Sequence, residues 1–410
     1  MFTPSSYRRS SLTRPALEQM PNGTRPQSLN LLRLTRCSET LRRLLVRLAT
    51  TIRGLIPVMA LAVSAWAVSA PASAEGKGGG GGAGEKAAPV PCGDVAALIT
   101  AVSEANSSPS GGSVSLATGC VYTLGTAAYT GGPNGPDGLP LITRDVTISG
   151  TQATIRRSAA AGDFRLAEIA PGGSLTVNGV TFSGGRATSG AGTDGGGIFD
   201  AGSLRLINAT VTGNTASNVG GGIEVASGGS AVLSATDVTH NFAGDGGGIH
   251  INTSATLSVS GGNISDNTAS SSGGGVSNFG TTLLGAVTVA RNTTTNFEGG
   301  GIATAVGDLT INGGRVAENT AGSFGGGIAN MGSALRVLAT TVSGNTATLN
   351  GGGLFQHAGT AQMIGDTVTG NTANGGQGGG IFTDGGTISL AASTVSGNNP
   401  NQCVPALAGC

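Results

Sequence analysis

The sequence predicts an all-β protein, a single-stranded parallel β-helix of about ten coils with one helix capping its N-terminal end. Two motifs that recur in phase support this prediction. Gly-Gly-Gly starts at eight positions separated by 25 to 27 residues, and an asparagine recurs between the triplets at the same period. The 75 glycines among 410 residues and the 3% of aromatic residues exclude an ordinary core of large side chains.

Each repeat has the length and the pattern of one β-helix turn. An Ile, Val or Leu follows every triplet, and segments such as 203–206 and 308–311 alternate apolar and polar residues as strands do. No window within a repeat could form a ten-residue helix. A WD-type propeller blade needs about 40 residues, and calcium-binding repeats of about nine residues need a regular aspartate. The pattern therefore favours about three short strands per turn.

The recurring asparagine predicts a ladder of stacked side chains. Because equivalent residues of stacked coils lie about 4.8 Å apart, each amide can hydrogen-bond to the same amide of the next coil. Sugar or ion binding is the alternative role, and we favour the structural one. The predicted ladder consists of Asn214, Asn241, Asn267, Asn292, Asn319, Asn345, Asn371 and Asn398.

The first 74 residues have the features of an export signal. Arginines precede an apolar run at 55–70, and the Ala-Ser-Ala sequence at 72–74 is a suitable cleavage site. The run is shorter than the ~20 residues of a membrane span, although an uncleaved anchor is the alternative. Residues 1–40 are unusually long for a signal, which a misassigned start codon would explain. We expect bacterial export and a secreted, extracellular product.

Composition divides the rest of the chain into further segments. The Gly-rich stretch at 75–91 predicts a flexible linker. Asp94 is a suitable N-cap for a helix at 95–106, whose apolar face would cover the first coil. The predicted organisation is a signal sequence with an over-long extension at 1–74, a linker at 75–91, an N-terminal cap at 92–140, the β-helix at 141–400 and a disulfide loop at 401–410.

Four cysteines remain once the signal is removed, and an even number in an exported chain favours disulfides. Three pairings are open, and we favour Cys92–Cys120 and Cys403–Cys410 because each joins near neighbours in the sequence. The cysteine and histidine spacings do not suit zinc. We expect neither a metal site nor a cofactor.

The charge distribution bears on the partners of the protein. Residues 1–74 carry ten arginines and two acidic residues, a net charge of +8, whereas residues 75–410 carry eleven basic and nineteen acidic residues, a net charge of −8. A mildly acidic mature chain argues against a nucleic-acid partner. No second apolar span follows the signal, so we expect no membrane association after signal cleavage.

The repeat also resembles a known family. Gly-Gly-Gly-Ile followed by Val or Ile three residues before Asn is similar to the GGA[ILV] and FxxN pair of polymorphic outer-membrane protein repeats. More broadly, residues 92–403 resemble secreted right-handed β-helix proteins with the pectin-lyase-like fold. The segments 137–143, 147–150 and 153–155 are similar to the opening of exported actinobacterial members. The resemblance implies a right-handed helix, and its polysaccharide lyases use calcium-binding aspartates and a basic residue on one sheet.

Candidate catalytic residues are few. The repeats contain four widely separated arginines and no lysine, which disfavours a lyase; they are Arg205, Arg291, Arg315 and Arg336. Glu224 and His250 follow the core Ile of adjacent coils, so their side chains could lie about 5 Å apart for acid–base catalysis. They are weak candidates, because an exposed face could carry the same residues by drift. The same column holds Phe199, Phe355 and Phe382, and a mixture of this kind is consistent with sugar contact.

Other acidic residues offer weaker arrangements. Asp194, Asp245 and Glu298 precede triplets two coils apart, and we favour a role as solvated turn residues. A glycosidase could combine Glu224 with Asp200, Asp245 or His250. The first hypothesis is a secreted, non-enzymatic protein that binds a polysaccharide or a cell-envelope surface. The alternatives are a carbohydrate-active enzyme, either a glycosidase or a polysaccharide lyase, and a structural spacer.

Overall fold

The structure, a computed structural model, describes residues 88–190 and 192–410. The predicted signal sequence at 1–74 and most of the linker predicted at 75–91 lie outside the described residues. The described chain forms one helix, α1 (Val95–Ser107), followed by a parallel β-solenoid of about nine turns. The predicted fold class is confirmed.

A typical turn contains three strands separated by bends. The strand that follows the Gly triplet, for example Ile223–Val225, leads into a long strand at Ser230–Thr239 and then into a two-residue strand at Phe242–Ala243. Equivalent strands of successive turns pair in parallel and build three sheets, which we call the triplet sheet, the long sheet and the short sheet.

The triplet sheet has ten strands and the short sheet eight. The strands of the triplet sheet are β4 (Ala167–Ile169), β7 (Ile198–Asp200), β11 (Ile223–Val225), β14 (Ile249–Ile251), β17 (Val276–Asn278), β20 (Ile302–Thr304), β23 (Ile328–Asn330), β27 (Leu354–Gln356), β31 (Ile381–Thr383) and β34 (Cys403–Val404). Those of the short sheet are β6 (Arg186–Ala187), β10 (Thr215–Ala216), β13 (Phe242–Ala243), β16 (Thr268–Ala269), β19 (Thr293–Thr294), β22 (Thr320–Ala321), β26 (Thr346–Ala347) and β30 (Thr372–Ala373).

The long sheet contains sixteen strands. Its main path is β1 (Gly112–Ser115), β3 (Asp145–Arg157), β5 (Ser174–Ser183), β8 (Ser203–Ile207), β12 (Ser230–Thr239), β15 (Thr256–Ser265), β18 (Thr281–Ala290), β21 (Asp308–Ala317), β24 (Ala334–Leu338), β28 (Thr360–Ile364) and β32 (Thr387–Ala391). The strands beside this path are β2 (Val121–Leu124), β9 (Thr210–Thr212), β25 (Thr341–Ser343), β29 (Thr367–Thr369) and β33 (Thr394–Ser396).

The core consists of columns of like aliphatic residues. The Ile that follows each triplet stacks on its equivalent in the next coil, as Ile198, Ile223 and Ile249 do, and all three are completely buried. Since neighbouring strands are in register, each column buries apolar surface along the whole solenoid, at about 25 cal/mol per Å². Small glycines and threonines therefore suffice elsewhere in the turn.

The long strand changes direction at one or two left-handed residues in each turn. Ala235, Ala286 and Ala339 have φ values of 46–49°, and a glycine with positive φ takes this position in the intervening turns.

The triplet glycines allow close contact between backbones. The first glycine, such as Gly220, has a φ of 65°, and an added Cβ would lie 2.8 Å from the Cα of Glu224. A Cβ on Gly221 or Gly222 would lie 2.4 or 2.7 Å from a carbonyl oxygen of the next coil. Real Cβ atoms do not approach backbone so closely, so only glycine permits the normal spacing of coils here.

The eight asparagines form a continuous buried ladder. The Nδ2 of each of the first seven donates to the Oδ1 of the next asparagine at 2.8–3.0 Å, and the backbone N–H of the same residue donates to that oxygen as well. At the first coil the N–H of Gly185 donates to Asn214, and at the last coil Asn398 donates to Gln402. Gln402 ends the ladder and was not predicted from the sequence.

Helix α1 and a disulfide cap the N-terminal end. Asp94 accepts a hydrogen bond from the N–H of Ala97, and Leu98 and Val102 are fully buried against the first coil. The Cys92–Cys120 disulfide forms. Val90, which the sequence analysis placed in the linker, is buried and accepts a hydrogen bond from the hydroxyl of Tyr122. The cap therefore includes the last residues of the predicted linker.

The C-terminal end is closed by a short loop. Strand β34 pairs with β31, and the Cys403–Cys410 disulfide forms. Leu407 of this loop packs against the core, while Ile388 and Leu390 of the last long strand are only partly buried. The C-terminal end is thus less completely covered than the N-terminal end.

Candidate functional site

The candidate catalytic residues lie in one column on the outer side of the triplet sheet. The outer column consists of the middle residues of successive triplet strands: Glu168, Phe199, Glu224, His250, Ser277, Ala303, Ala329, Phe355 and Phe382. The register therefore places Glu224 directly between Phe199 and His250.

The outer column is buried over most of its length. Glu224 is 2% exposed and His250 6% exposed. The turn before each triplet folds over the column, because Gly220 lies against the backbone of Glu224 and Gly246 lies against the Cβ of His250. The expectation that this column forms an exposed face is wrong, since covering turns separate it from solvent.

Glu224 and His250 form a close buried pair. The Oε2 of Glu224 lies 2.7 Å from the Nδ1 of His250, and the ring of Phe279 lies 5.4 Å from the imidazole. Burial raises the pKa of Glu224, although its hydrogen bond to His250 opposes that effect. Burial acts to lower the pKa of His250, but the hydrogen bond and charge of Glu224 outweigh it and raise the pKa. The pair has the chemistry of an acid and a base and lacks an open approach for a polymer.

The three acidic residues that precede triplets differ in environment. Asp194 accepts a hydrogen bond from Asn218 at 2.8 Å, and Glu298 accepts one from Ser272 at 3.1 Å. Burial raises the pKa of Asp245, against the effect of a hydrogen bond from Ser277. Asp194 and Glu298 thus bind neighbouring turns, and all three acidic residues are half-buried.

Asp200 faces the opposite side of the sheet from Glu224. It pairs in register with Val225 and is fully buried in the interior, so a catalytic pair with Glu224 is excluded. Its Oδ1 accepts from the N–H of Gly202 at 3.0 Å, and its Oδ2 has no partner in the described chain. Burial raises the pKa of Asp200 to about 7.

The position of Asp200 recurs as a second polar column, which the sequence analysis missed. Asn278 donates to Thr304 at 3.1 Å, and Asn330 donates to Gln356 at 2.9 Å. These side chains are buried and occupy the third position of successive triplet strands. Because these residues recur in phase with Asp200, the repeat pattern could have revealed this column.

A buried ionic cluster near the cap was also missed. The Nη1 of Arg165 lies 3.0 Å from Asp137 and 2.9 Å from Glu168, and its guanidinium lies 5.2 Å from the ring centroid of Phe199. Arg165 also donates to the carbonyl of Asn134. Burial and the nearby charge of Glu168 raise the pKa of Asp137 to about 8, although Arg165 opposes this. The cluster joins the cap to the first triplet strand.

Aromatic rings stack at the C-terminal end of the outer column. The ring of Phe355 lies 4.6 Å from that of Phe324 and 5.9 Å from that of Phe382. His357 lies with its Nδ1 2.9 Å from a carboxylate oxygen of Asp384. Phe355 is buried, which limits the sugar contact that its position in the column suggested.

No helix of 88–190 and 192–410 has the length and hydrophobicity to span a membrane. Within the same residues, no three or more His, Cys, Asp or Glu side chains are grouped as metal ligands.

Comparison with known proteins supports the architecture. A family model described as a right handed beta helix region matches residues 196–368, from the first triplet through β29. No curated protein and no solved structure matched the chain. The match and the register of the strands together make the repeats a right-handed parallel β-helix.

Proposed function

We propose that this protein is a secreted, non-enzymatic β-helix that binds glycans or other components of a cell envelope. The proposal is based on a contrast between the buried polar residues of the outer column and the polar residues on the outer face of the long sheet. The acid and imidazole groups suited to catalysis are buried beneath turns, whereas the outer face of the long sheet displays rows rich in hydroxyl and amide groups with few charged side chains.

The outer rows are extensive. The first outward-facing residues after the bend lie in register along the solenoid, and six of the nine are Thr: Thr181, Thr210, Asp237, Asn263, Thr288, Arg315, Thr341, Thr367 and Thr394. Hydroxyl and amide groups spaced about 4.8 Å apart can bind a polymer by many weak hydrogen bonds. A repetitive ligand such as a polysaccharide suits a repetitive surface.

The export features support an extracellular location. The apolar run at 55–70 and the small residues at 72–74 provide a signal, and the two disulfides favour an oxidising compartment. The resemblance to exported β-helix proteins of the pectin-lyase-like fold and to polymorphic outer-membrane protein repeats agrees with this location. The mature chain would act without a nucleic-acid partner and without a membrane anchor.

The binding proposal is tested with the purified protein on a panel of immobilised polysaccharides. We expect retention on at least one of them, at an affinity that is insensitive to calcium chelation. If no polysaccharide is retained and the protein is inert toward cell envelopes, the proposal is wrong and a structural spacer becomes the better description.

An enzyme is the second candidate, because the 2.7 Å contact between Glu224 and His250 is a specific acid–base arrangement. The purified protein should release no unsaturated or reducing products from pectate, alginate or hyaluronan, with or without calcium. Turnover that disappears in a Glu224→Gln/His250→Ala variant would replace the binding function with a catalytic one and would locate the site.

A further inference from the structure

A groove crosses the bend of the long sheet next to the N-terminal cap. It has a volume of about 670 Å³ and passes over four successive layers, from the end of β1 through the bends of β3 and β5 to the start of β9. At the spacing of stacked strands this is a length of roughly 14 Å. Its floor contains the left-handed residues Gln152, Gly179 and Asn208.

Local irregularity in β3 widens the groove. Ser149 and Ala153 of β3 pair with Asn178 and Val180 of β5, so β3 has three residues in the bend where β5 has one. Later bends lack this insertion and contain a single Ala or one or two glycines at the turn. Pro89 and Leu116 of the cap line the groove at one end. The site therefore combines the cap and the first coils and does not repeat along the solenoid.

The lining of the groove is polar and uncharged. Nine of its residues carry hydroxyl or amide side chains, including Asn178, Asn208, Gln152 and Thr210, and none of the lining residues is Asp, Glu, Lys, Arg or His. None of the nine side chains has a hydrogen-bond partner in residues 88–190 and 192–410.

Some outer polar residues of the later coils are paired with one another. Thr239 donates to Thr212 at 3.0 Å, Thr256 donates to Ser230 at 3.0 Å, and Asn263 donates to Asp237 at 2.8 Å. These side chains bind the equivalent residues of the next coil, as stacked polar columns commonly do. The groove thus keeps a concentrated set of donors and acceptors available for a ligand.

We propose that this groove binds a short segment of an uncharged oligosaccharide. A ligand rich in hydroxyl groups would exchange hydrogen bonds with the amide and hydroxyl groups of the lining, and a concave site buries more of such a ligand than a flat face does. A uronate or a sulfated sugar would lose hydration of its charge without gaining a cationic partner, so charged glycans are disfavoured. The proposal rests on the proposed glycan-binding function and gives it a place and a substrate class.

The test uses calorimetric titration of the purified protein with named probes. The neutral probes are cellohexaose, maltohexaose, xylohexaose and chitohexaose, and the charged probes are hexagalacturonate and an alginate hexamer. We expect at least one neutral hexasaccharide to bind and the charged ones to bind at least tenfold more weakly.

Two pairs of variants locate the site. Asn178→Leu and Thr210→Leu lie in the groove, whereas Asn312→Leu and Thr288→Leu occupy the same two columns of the repeat outside it. The groove variants should weaken binding at least tenfold, and the matched controls should leave it within twofold. A melting curve for each variant separates loss of binding from loss of folding.

Three outcomes would contradict different parts of the proposal. Glycan binding that both groove variants leave unchanged would reject the groove and leave the proposed function standing. Tighter binding of the charged probes would reject the uncharged class. Binding to none of the six probes, together with no retention on polysaccharides, would reject the proposed function as well as the groove.

Discussion

At the scale of single residues, burial decides what each polar side chain does. Asn319 and its equivalents are buried with every amide paired, and the pairs are identical from coil to coil. Asp200 occupies a buried position that the next two coils fill with Val225 and Ile251 and the later coils with a neutral Asn, Thr or Gln. One of its oxygens has no partner among the described residues. The same solenoid interior thus stabilises uncharged polar groups and penalises a charged one.

The first prediction is that Asp200→Asn stabilises the protein at alkaline pH. The folded-state pKa of Asp200 is raised from 3.8 to about 7, so its protonated form favours folding. The stability of the wild type should therefore fall as pH rises from about 4 to about 7. A rise in pKa from 3.8 to about 7 corresponds to a loss of roughly 4 kcal/mol in the free energy of unfolding at high pH. Most of this loss occurs above pH 5.

Denaturant melts at pH 5 and pH 8 check this prediction. The difference in stability between Asp200→Asn and wild type should grow by about 2–3 kcal/mol in favour of the variant between these pH values. Asp308→Asn, at an exposed strand start, is the control and should show no such change. An identical pH profile for wild type and Asp200→Asn would contradict the burial argument.

The second prediction concerns the ladder. The Oδ1 of Asn319 accepts from both the N–H and the Nδ2 of Asn292, at 2.9 and 3.0 Å. Asn319→Ala removes that acceptor and leaves two buried donors unpaired, so we expect a loss of roughly 2–4 kcal/mol in the free energy of unfolding. Asn312→Ala, in the exposed part of β21, should change it by less than about 0.5 kcal/mol. Equal melting curves for the two variants would show that the ladder contributes nothing.

At the scale of elements, the Gly triplet and the strand behind it form one unit. The first glycine turns the chain over the outer column, the second and third pass against the next coil, and the following Ile enters the core. The turn lies against Glu224 and His250, and both side chains are buried. The same element that gives the repeat its signature therefore closes the candidate catalytic column.

The third prediction distinguishes two reasons why glycine occupies positions in the repeat: a left-handed backbone and close contact between coils. Gly213 has a φ of 64° and open space around an added Cβ, so Gly213→Ala carries only the conformational cost of about 1–2 kcal/mol. A Cβ on Gly222 would lie 2.7 Å from the carbonyl oxygen of Gly248 and 2.9 Å from the amide of Asn241. Gly222→Ala should therefore cost about 3 kcal/mol or more, because the coils must separate.

Chemical denaturation of the two alanine variants gives the comparison directly. Gly222→Ala should be the less stable of the two, and its crystal structure should show a local increase in coil spacing. A smaller loss for Gly222→Ala than for Gly213→Ala would mean that backbone conformation, and not the contact between coils, selects these glycines.

At the scale of the whole molecule, a solenoid is stabilised by contacts between neighbouring coils and is vulnerable at its ends. The N-terminal end has α1, Val90, the Asp137–Arg165–Glu168 cluster and a disulfide, whereas the C-terminal end has β34 and a seven-residue disulfide loop. Unfolding should therefore begin more readily at the C-terminal end.

The fourth prediction compares the two disulfides. Cys92 and Cys120 are 28 residues apart, and Cys403 and Cys410 are 7 apart. The chain-entropy model gives about 3–4 kcal/mol for the first and about 2–3 kcal/mol for the second. The variant with both Cys92 and Cys120 changed to Ser should have the lower melting temperature, because it also loosens the helix that covers the first coil.

Non-reducing peptide mapping of wild type should recover only the two local pairs, and calorimetry of the two double-Ser variants ranks their stability. A greater loss in the Cys403/Cys410 variant would show that the C-terminal loop, and not the helix, is the principal cap.

The sequence by itself determined the architecture. Strict recurrence of Gly-Gly-Gly, Ile and Asn fixes the length of a turn, and identical residues in phase can stack only if every coil has the same shape. The capping helix and the local disulfides follow from short-range signals: an N-cap, an apolar face and near-neighbour cysteines. Such features depend on local backbone chemistry and on the repeat, both of which can be recognised in the amino-acid sequence.

The accessibility of the candidate residues was decided by the tertiary structure alone. Period-two alternation correctly places Glu224 and His250 outside the core, but only the folded turns show that a further layer of backbone covers them. The Asp137–Arg165–Glu168 cluster and Gln402 lie outside the regular repeat, so the repeat pattern could not predict their contacts. The groove exists because β3 inserts residues at one bend beside the cap. Burial and concavity arise from segments that are distant in sequence, and a repeat pattern carries no information about which of them meet.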